Sequence, residues 1–336
     1  MILVTGGSGL VGSHLLFDLI NSGKKVRVLK REKTSIDLVK KIFAYYTPNS
    51  ASLLDSIEWV TGDITDIYSL YDVLDGVDYV YHTAGFVSFS SSDKQEIMKV
   101  NATGTANVVN ACLHKNVKKL CHVSSIATLG RENNNGITNE ETHWINSNNN
   151  SVYAVSKYNA EREVWRGTAE GLPAVIINPS IIIGPGNWDK GSSQLFKQVW
   201  DGLRFYTHGV NGYVDVRDVS KCMIQLMNHP IENSNFIVSS ENIDYFTLFS
   251  MIAKNLNKKA PSIKVTSFLS EIAWRTEKAK FLLTGKAPLI TKETARTAFQ
   301  KYYFSNEKIK KILDFEFIPI SESIHQTSRF FLRELA

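Results

Sequence analysis

The chain has 336 residues, 43% of them hydrophobic and 21% charged, with a net charge of +5. That length can bury one large α/β core or two ordinary ones, and the composition excludes a disordered or fibrous chain. No window of about 20 apolar residues reads as a membrane span, and the opening MILVTGG lacks the basic and apolar regions of a signal peptide.

Short β-branched runs alternate with helical patterns from the second residue onward. ILVT (2–5) reads as a strand, followed by an amphipathic stretch near 11–22 and a second strand at VRVL (26–29). IEWV (57–60) and DYVYH (78–82) continue the strands, separated by a helical pattern near 66–75. A further helix is expected near 94–115, then the strand KLCHVSS (119–125), a helix near 153–170, and strands at AVIIN (174–178) and NFIV (235–238). This order implies right-handed βαβ units: an α/β fold with a doubly wound parallel sheet covered on both faces. The asparagine-rich segment 131–151 reads as a long surface loop. Beyond Gly184 the alternation weakens, and after about residue 241 helical patterns dominate. We expect residues 1–180 with about 213–240 to form the dinucleotide-binding domain. About 181–212 with 241–336 should form a smaller, mainly helical substrate-binding lid over the sheet's C-terminal edge.

Thr5 to Gly12 reads TGGSGLVG, between the first strand and the first helix. Gly6, Gly9 and Gly12 allow a tight turn, close approach of backbone amides to a pyrophosphate, and close packing of helix on sheet. Leu10 lies inside the same cradle. The second strand ends in Lys30-Arg31, where an NAD site would present an acidic residue to the ribose. Two cations there suit a 2′-phosphate and lean towards NADP over NAD; two solvent-facing charges at a strand end are the other reading. Cys112, Cys121 and Cys222 lie far apart and in no CxxC arrangement, which suggests neither a disulfide framework nor a zinc site and points to a reducing, cytoplasmic setting. The C-terminal quarter is basic, a feature open to an anionic partner or to lysines on solvated helix faces. We expect no metal and no nucleic-acid partner.

YAVSK (153–157) places Tyr153 and Lys157 four residues apart, on one helix face. Its company gives the pair meaning: TGGSGLVG at the start, GDIT (62–65) after the third strand, HTAG (82–85) after the fourth and HVSS (122–125) in the fifth. Together, over about residues 1–240, these motifs resemble the extended branch of the short-chain dehydrogenase/reductase family. The resemblance implies a Rossmann sheet on which Ser125, Tyr153 and Lys157 are catalytic. Ser124 stays a contender; Ser125 is preferred because it lies five residues before Gly130, as in the family's SSxAxxG pattern. Carried over by motif, Asp63 and Ile64 flank an adenine, Ala84 and Gly85 line the cofactor, Asn101 supports the site, and Pro179 and Ile182 complete the cofactor set.

The chemistry needs these residue types. Hydride transfer to a carbonyl leaves charge on oxygen, which an acid within hydrogen-bond reach must protonate. A free tyrosine has a pKa near 10, and a neighbouring ammonium should draw it towards neutrality. The serine hydroxyl steadies the developing oxyanion. Glu161, four residues beyond Lys157, reads as the partner of a cation rather than as a catalyst.

Within the extended branch, INPSIIIGPG matches the NPxxxxGP pattern of a group resembling dihydroflavonol reductase and 3β-hydroxysteroid dehydrogenase. Sugar-nucleotide enzymes commonly read RxxNxxGP; here Asn178 and Ile181 hold those two places. Asn211 stands where such enzymes carry an arginine ahead of the YVDVRDV motif. The expected activity is therefore an NADP(H)-dependent interconversion of a ketone or aldehyde with an alcohol, on a small molecule. Phe86, Val87, Ile126, Trp188, Phe196 and Tyr206 are candidate pocket residues, each equally at home in a core. The stretch 268–285 has helical spacing interrupted by charges and reads as a soluble helical lid. A sugar-nucleotide epimerase or dehydratase is the alternative, a non-catalytic NADP-sensing protein the second; a homodimer is left open.

Overall fold

A computed structural model describes residues 1–88, 91–130, 136–147, 150–266, 271, 274–276, 295 and 297–335. Seven strands form one parallel sheet: β1 (Ile2–Thr5), β2 (Val26–Lys30), β3 (Glu58–Thr61), β4 (Tyr79–His82), β5 (Lys119–Val123), β6 (Ala174–Pro179) and β7 (Ser234–Val238). Their spatial order is β7-β6-β5-β4-β1-β2-β3. The chain reverses its direction of winding between β1 and β4, and in open α/β sheets ligands bind outside the strands' carboxyl ends at such a point. The expected fold class is the observed one.

Alternation along each strand splits the core in two. Leu3 packs with Leu29, Val80, Leu120 and Ile176 on one face, and Val4 with Val28, Tyr81, Cys121 and Val175 on the other. Both faces are covered, so the strands read as nearly continuous apolar runs. Helix α1 (Leu10–Asn21) covers the Val4 face; α3 (Gly104–His114) and α4 (Val152–Ala169) cover the Leu3 face. A helix outside the expected set, α2 (Asp37–Tyr46), joins the Val4 face. Ile36, Val39, Ile42, Phe43 and Tyr46 recur at helical spacing along the face it buries. Helix α5 (Val216–Asn228) begins within the YVDVRDV motif and packs on the same face.

A second core lies beyond the sheet. Strands Ile181–Ile183, Val210–Asp215 and Glu241–Asp244 form a small mixed sheet. Against it pack α6 (Tyr245–Asn255) and α7 (Ile320–Leu335), around Ile183, Phe196, Tyr213, Leu248 and Ile324. The expected surface loop 131–151 carries a short strand, Ile137–Thr138, that pairs in parallel with Tyr303–Phe304; no local pattern could reveal a partner so distant in the chain. The lid helix expected over 268–285 lies largely outside the described residues. Among the described residues no helix is long and apolar enough to cross a membrane.

Candidate active site

The register Thr5–His82–His122 brings β1, β4 and β5 level at their carboxyl ends. The chain leaves β1 through Gly6, whose φ of +72° belongs to the left-handed region that glycine favours. A Cβ on Gly6 would lie 2.5 Å from the Ala84 nitrogen, and one on Gly12 would collide with the Gly6 carbonyl. The turn therefore has room for backbone alone. Gly9 caps α1 without any side-chain hydrogen bond, leaving the first-turn amides of Leu10, Val11 and Gly12 with neither an intrahelical acceptor nor a side-chain cap. Such a cradle fits a pyrophosphate. Lys30, half-buried, and Arg31, exposed, close the end of β2 beside it. Among the described residues neither forms an ion pair, whereas Arg27 on the same strand is held by Glu58 at 2.9 Å.

The HTAG turn is fixed from below. His82 is buried between the hydroxyls of Thr5 (2.7 Å) and Thr105 (2.9 Å), and burial, with a smaller effect of the Lys157 charge, holds its pKa down at about 3. Asn101 lies in a single wide π-turn (Lys99–Thr103) leading into α3. Its Oδ1 accepts from the Phe86 amide at 2.7 Å, while its Nδ2 donates to Phe86 O at 3.0 Å and to Ser156 Oγ at 2.9 Å. Asn101 thus braces the Ala84-Gly85-Phe86 turn against α4. Asp63 Oδ1 accepts from the amide and hydroxyl of Thr65. Ile64 is buried against Gly104, and its carbonyl accepts from Asn107 Nδ2 at 3.0 Å.

Ser151 caps α4 by accepting from the Ala154 amide at 2.9 Å, and Tyr153 follows in the first turn. The Tyr153 hydroxyl is hydrogen-bonded to Ser125. Ser125 Oγ accepts from the Ala127 amide at 3.1 Å, which leaves its own proton free to donate. Burial pushes the Tyr153 phenol above its ordinary value, opposed by the Ser125 hydrogen bond. The Lys157 ammonium donates to Val123 O at 2.7 Å. Lys157 is 4% exposed; burial lowers its pKa to about 8, against the pull of the Glu161 charge.

The two serines part company here. Ser124 donates to the buried Glu161 carboxylate at 2.6 Å and so points away from Tyr153's partner, Ser125. Glu161 is met by neutral donors, Ser124, Thr128 and Asn178, and not directly by the cation expected for it.

The candidate pocket residues scatter. Phe196 is fully buried in the second core and lines no cleft. Trp188 packs on Phe196, Phe330 and Phe331, with its indole N–H donating to Glu334 at 3.2 Å. Tyr206 packs against Phe246 with the rings tilted at 44°, and Val87 is exposed. Pro179, the last residue of β6, is buried, and Ile182, in the strand Ile181–Ile183, is half-buried. Ile126 follows Ser125 in the chain and packs against the cluster of Leu129, Ile237 and Phe304. Phe304, from the strand paired with Ile137–Thr138, was not foreseeable from any motif. Nor was His14, whose ring ties α1 to Pro185 O at 3.1 Å and to the Tyr46 hydroxyl at 2.7 Å; a histidine on an apolar helix face carries no signal of its own.

The sequence matches the NAD dependent epimerase/dehydratase family over residues 2–238. Sterol demethylase protein B of Methylococcus capsulatus is 30% identical over 71% of the chain and 70% of its own length. A putative dihydroflavonol 4-reductase of Synechocystis sp. is 25% identical over 98% of the chain and 93% of its own. The crystal structure of gox2253 superposes with a TM-score of 0.82 at 27% identity, covering 99% of this chain and 98% of that one.

Proposed function

The chain belongs to the NAD dependent epimerase/dehydratase family, and from that premise we propose that this oxidoreductase reduces a ketone or aldehyde to an alcohol at the expense of NADPH. The Ser125–Tyr153 hydrogen bond, with Lys157 one turn along the same helix, carries the reading. The dihydronicotinamide, when bound, supplies the hydride. As negative charge gathers on the carbonyl oxygen, Tyr153 gives it the phenolic proton and Ser125 donates a hydrogen bond to the same oxygen. A phenol whose pKa burial raises is protonated at neutral pH, the form a reduction needs. Lys157 spends one N–H on Val123 O and has others for ribose hydroxyls. Lys30 and Arg31 meet a 2′-phosphate, and the Gly6–Gly12 turn with Leu10 holds the pyrophosphate. The second core, around Tyr213 and Leu248, closes over the substrate.

The name of the Synechocystis relative supports a carbonyl substrate, as do Asn178, Ile181 and Asn211 in place of the diphosphate-binding residues of sugar-nucleotide enzymes. The three cysteines are free and buried, which suits a reducing cytoplasm. Purified protein should oxidise NADPH against some member of a panel of aldehydes and ketones. Absence of turnover across the panel, with tight retention of NAD(H) through purification, would instead favour an epimerase or dehydratase.

A further inference from the structure

Tyr153, Lys157 and Glu161 follow one another at intervals of four on α4 and share its buried face. Glu161 is 7% exposed, and its carboxylate has more to hold than a neighbour on its own helix. Its Oε2 accepts from Ser124 Oγ at 2.6 Å, Thr128 Oγ1 at 2.7 Å and Asn178 Nδ2 at 2.9 Å. Oε1 takes the Trp165 indole N–H at 3.4 Å. Ser124 and Thr128 bracket Ser125 in the chain, and Asn178 also donates to the Ser125 carbonyl at 3.2 Å. Two points of the turn that carries Ser125, and the β6 side chain that holds its carbonyl, are thus gathered on one oxygen, two helical turns from Tyr153.

All three donors to that oxygen are neutral. Among the described residues the Glu161 charge is therefore not cancelled by a contact ion pair, and it acts on the buried Lys157 one turn away. The other titratable groups facing Lys157 are His82 on β4 and His122 on β5, both buried with pKa values pushed down by burial, and Tyr153 on α4 itself. Glu161 is the one anion in this set.

We propose that Glu161 is a positioning residue: it fixes the Ser125 turn against Tyr153 and supplies the negative charge that keeps Lys157 cationic. It touches neither substrate nor cofactor. The catalytic roles of Ser125, Tyr153 and Lys157 rest on the function proposed above, but the charge relationship between Glu161 and Lys157 can be read without any turnover.

The test compares the full-length protein with Glu161→Gln and Glu161→Asp, using lysine-selective isotope labelling and NMR titration, with Lys157 assigned through Lys157→Arg. In Glu161→Gln the charge is gone, and Lys157 should titrate below the wild-type value of about 8. Glu161→Asp keeps the charge but ends one methylene short of its three donors. Lys157 should then titrate as in the wild type, while kcat for carbonyl reduction falls about ten- to a hundredfold at little-changed KM, the scale of a small misplacement of reacting groups. An unmoved Lys157 titration in Glu161→Gln, or full kcat in Glu161→Asp, overturns the proposal. Should Glu161→Gln fail to fold, Glu161→Met, uncharged and of similar length, carries the Lys157 titration, and the aspartate variant still judges the placement of Ser125. A wild-type protein that reduces no carbonyl compound defeats the proposed function, and the Lys157 titration still judges Glu161.

Discussion

The Tyr153 hydroxyl and Ser125 are hydrogen-bonded side chain to side chain, across the gap between helix α4 and the turn that leaves β5. Tyr153→Phe removes the proton donor and little else. Turnover should fall by about two to four orders of magnitude, with NADPH affinity and melting temperature nearly unchanged. Lys157→Ala should damage both turnover and cofactor binding. Steady-state kinetics beside calorimetric titration checks the pair; a phenylalanine variant keeping more than about a tenth of the activity contradicts the assigned role.

Lys30 and Arg31 stand at the end of β2, beside the phosphate cradle, and form no ion pair among the described residues. NADP(H) should bind more tightly than NAD(H) at physiological salt, and Arg31→Asp should shift the ratio towards NAD by about ten- to a hundredfold, the worth of one charged hydrogen bond. Parallel titrations with both cofactors measure this. Equal affinities in the wild type would refute it.

Asn178 is occupied inside the protein, donating to Ser125 O, Thr128 Oγ1 and Glu161 Oε2. With no free donor there, and with Ile181 and Asn211 at the other two places, UDP- and dTDP-sugars should bind poorly. Micromolar binding by calorimetry, in competition with a carbonyl substrate, would return the epimerase reading to the front.

Lys157 titrates at about 8 because burial disfavours its charge. In a carbonyl reduction the ammonium orients ribose hydroxyls and supports the phenol, so activity should decline as pH rises through about 8. A rate profile level to pH 10 would speak against that role.

Burial holds His14 near a pKa of about 4 and His82 near about 3, below the ordinary value of about 6.5. The unfolded chain takes up protons below about 6.5 that the native state refuses, so stability should fall as pH drops from there towards about 4. Asp218 works the other way. Burial raises it to about 6, and its native proton adds stability that is lost as pH rises through that value. His122, also lowered by burial, strengthens the histidine side of the balance. Melting temperatures should therefore drop between pH 7 and pH 4.5, and a flat or rising profile on acidification would show the histidines already charged.

Local order was legible because local forces make it. Strand period, glycine spacing and the four-residue step from Tyr153 to Lys157 depend on near neighbours in the chain, so the sheet, the cradle and the shared helix face followed from the residues alone. Helix α2 carries the same local signal, in Ile36, Val39, Phe43 and Tyr46 at helical spacing.

What lay between elements was decided only by the tertiary structure. Ser124 and Ser125 are adjacent hydroxyls at a strand end; which of them meets Tyr153 depends on where α4 crosses, and the Glu161 carboxylate claims Ser124 from that helix. Phe196 and Ile126 are both apolar residues near motifs, yet the first closes the second core and the second adjoins the reacting serine. Phe304 reaches Ile126 only because Tyr303–Phe304 pairs with Ile137–Thr138. Apolar burial rewards removal from water whoever the neighbours are, so sequence determined which side chains are buried more readily than against what. The partners were set by packing geometry between segments far apart in the chain, and that geometry exists only once the sheet and its helices have assembled.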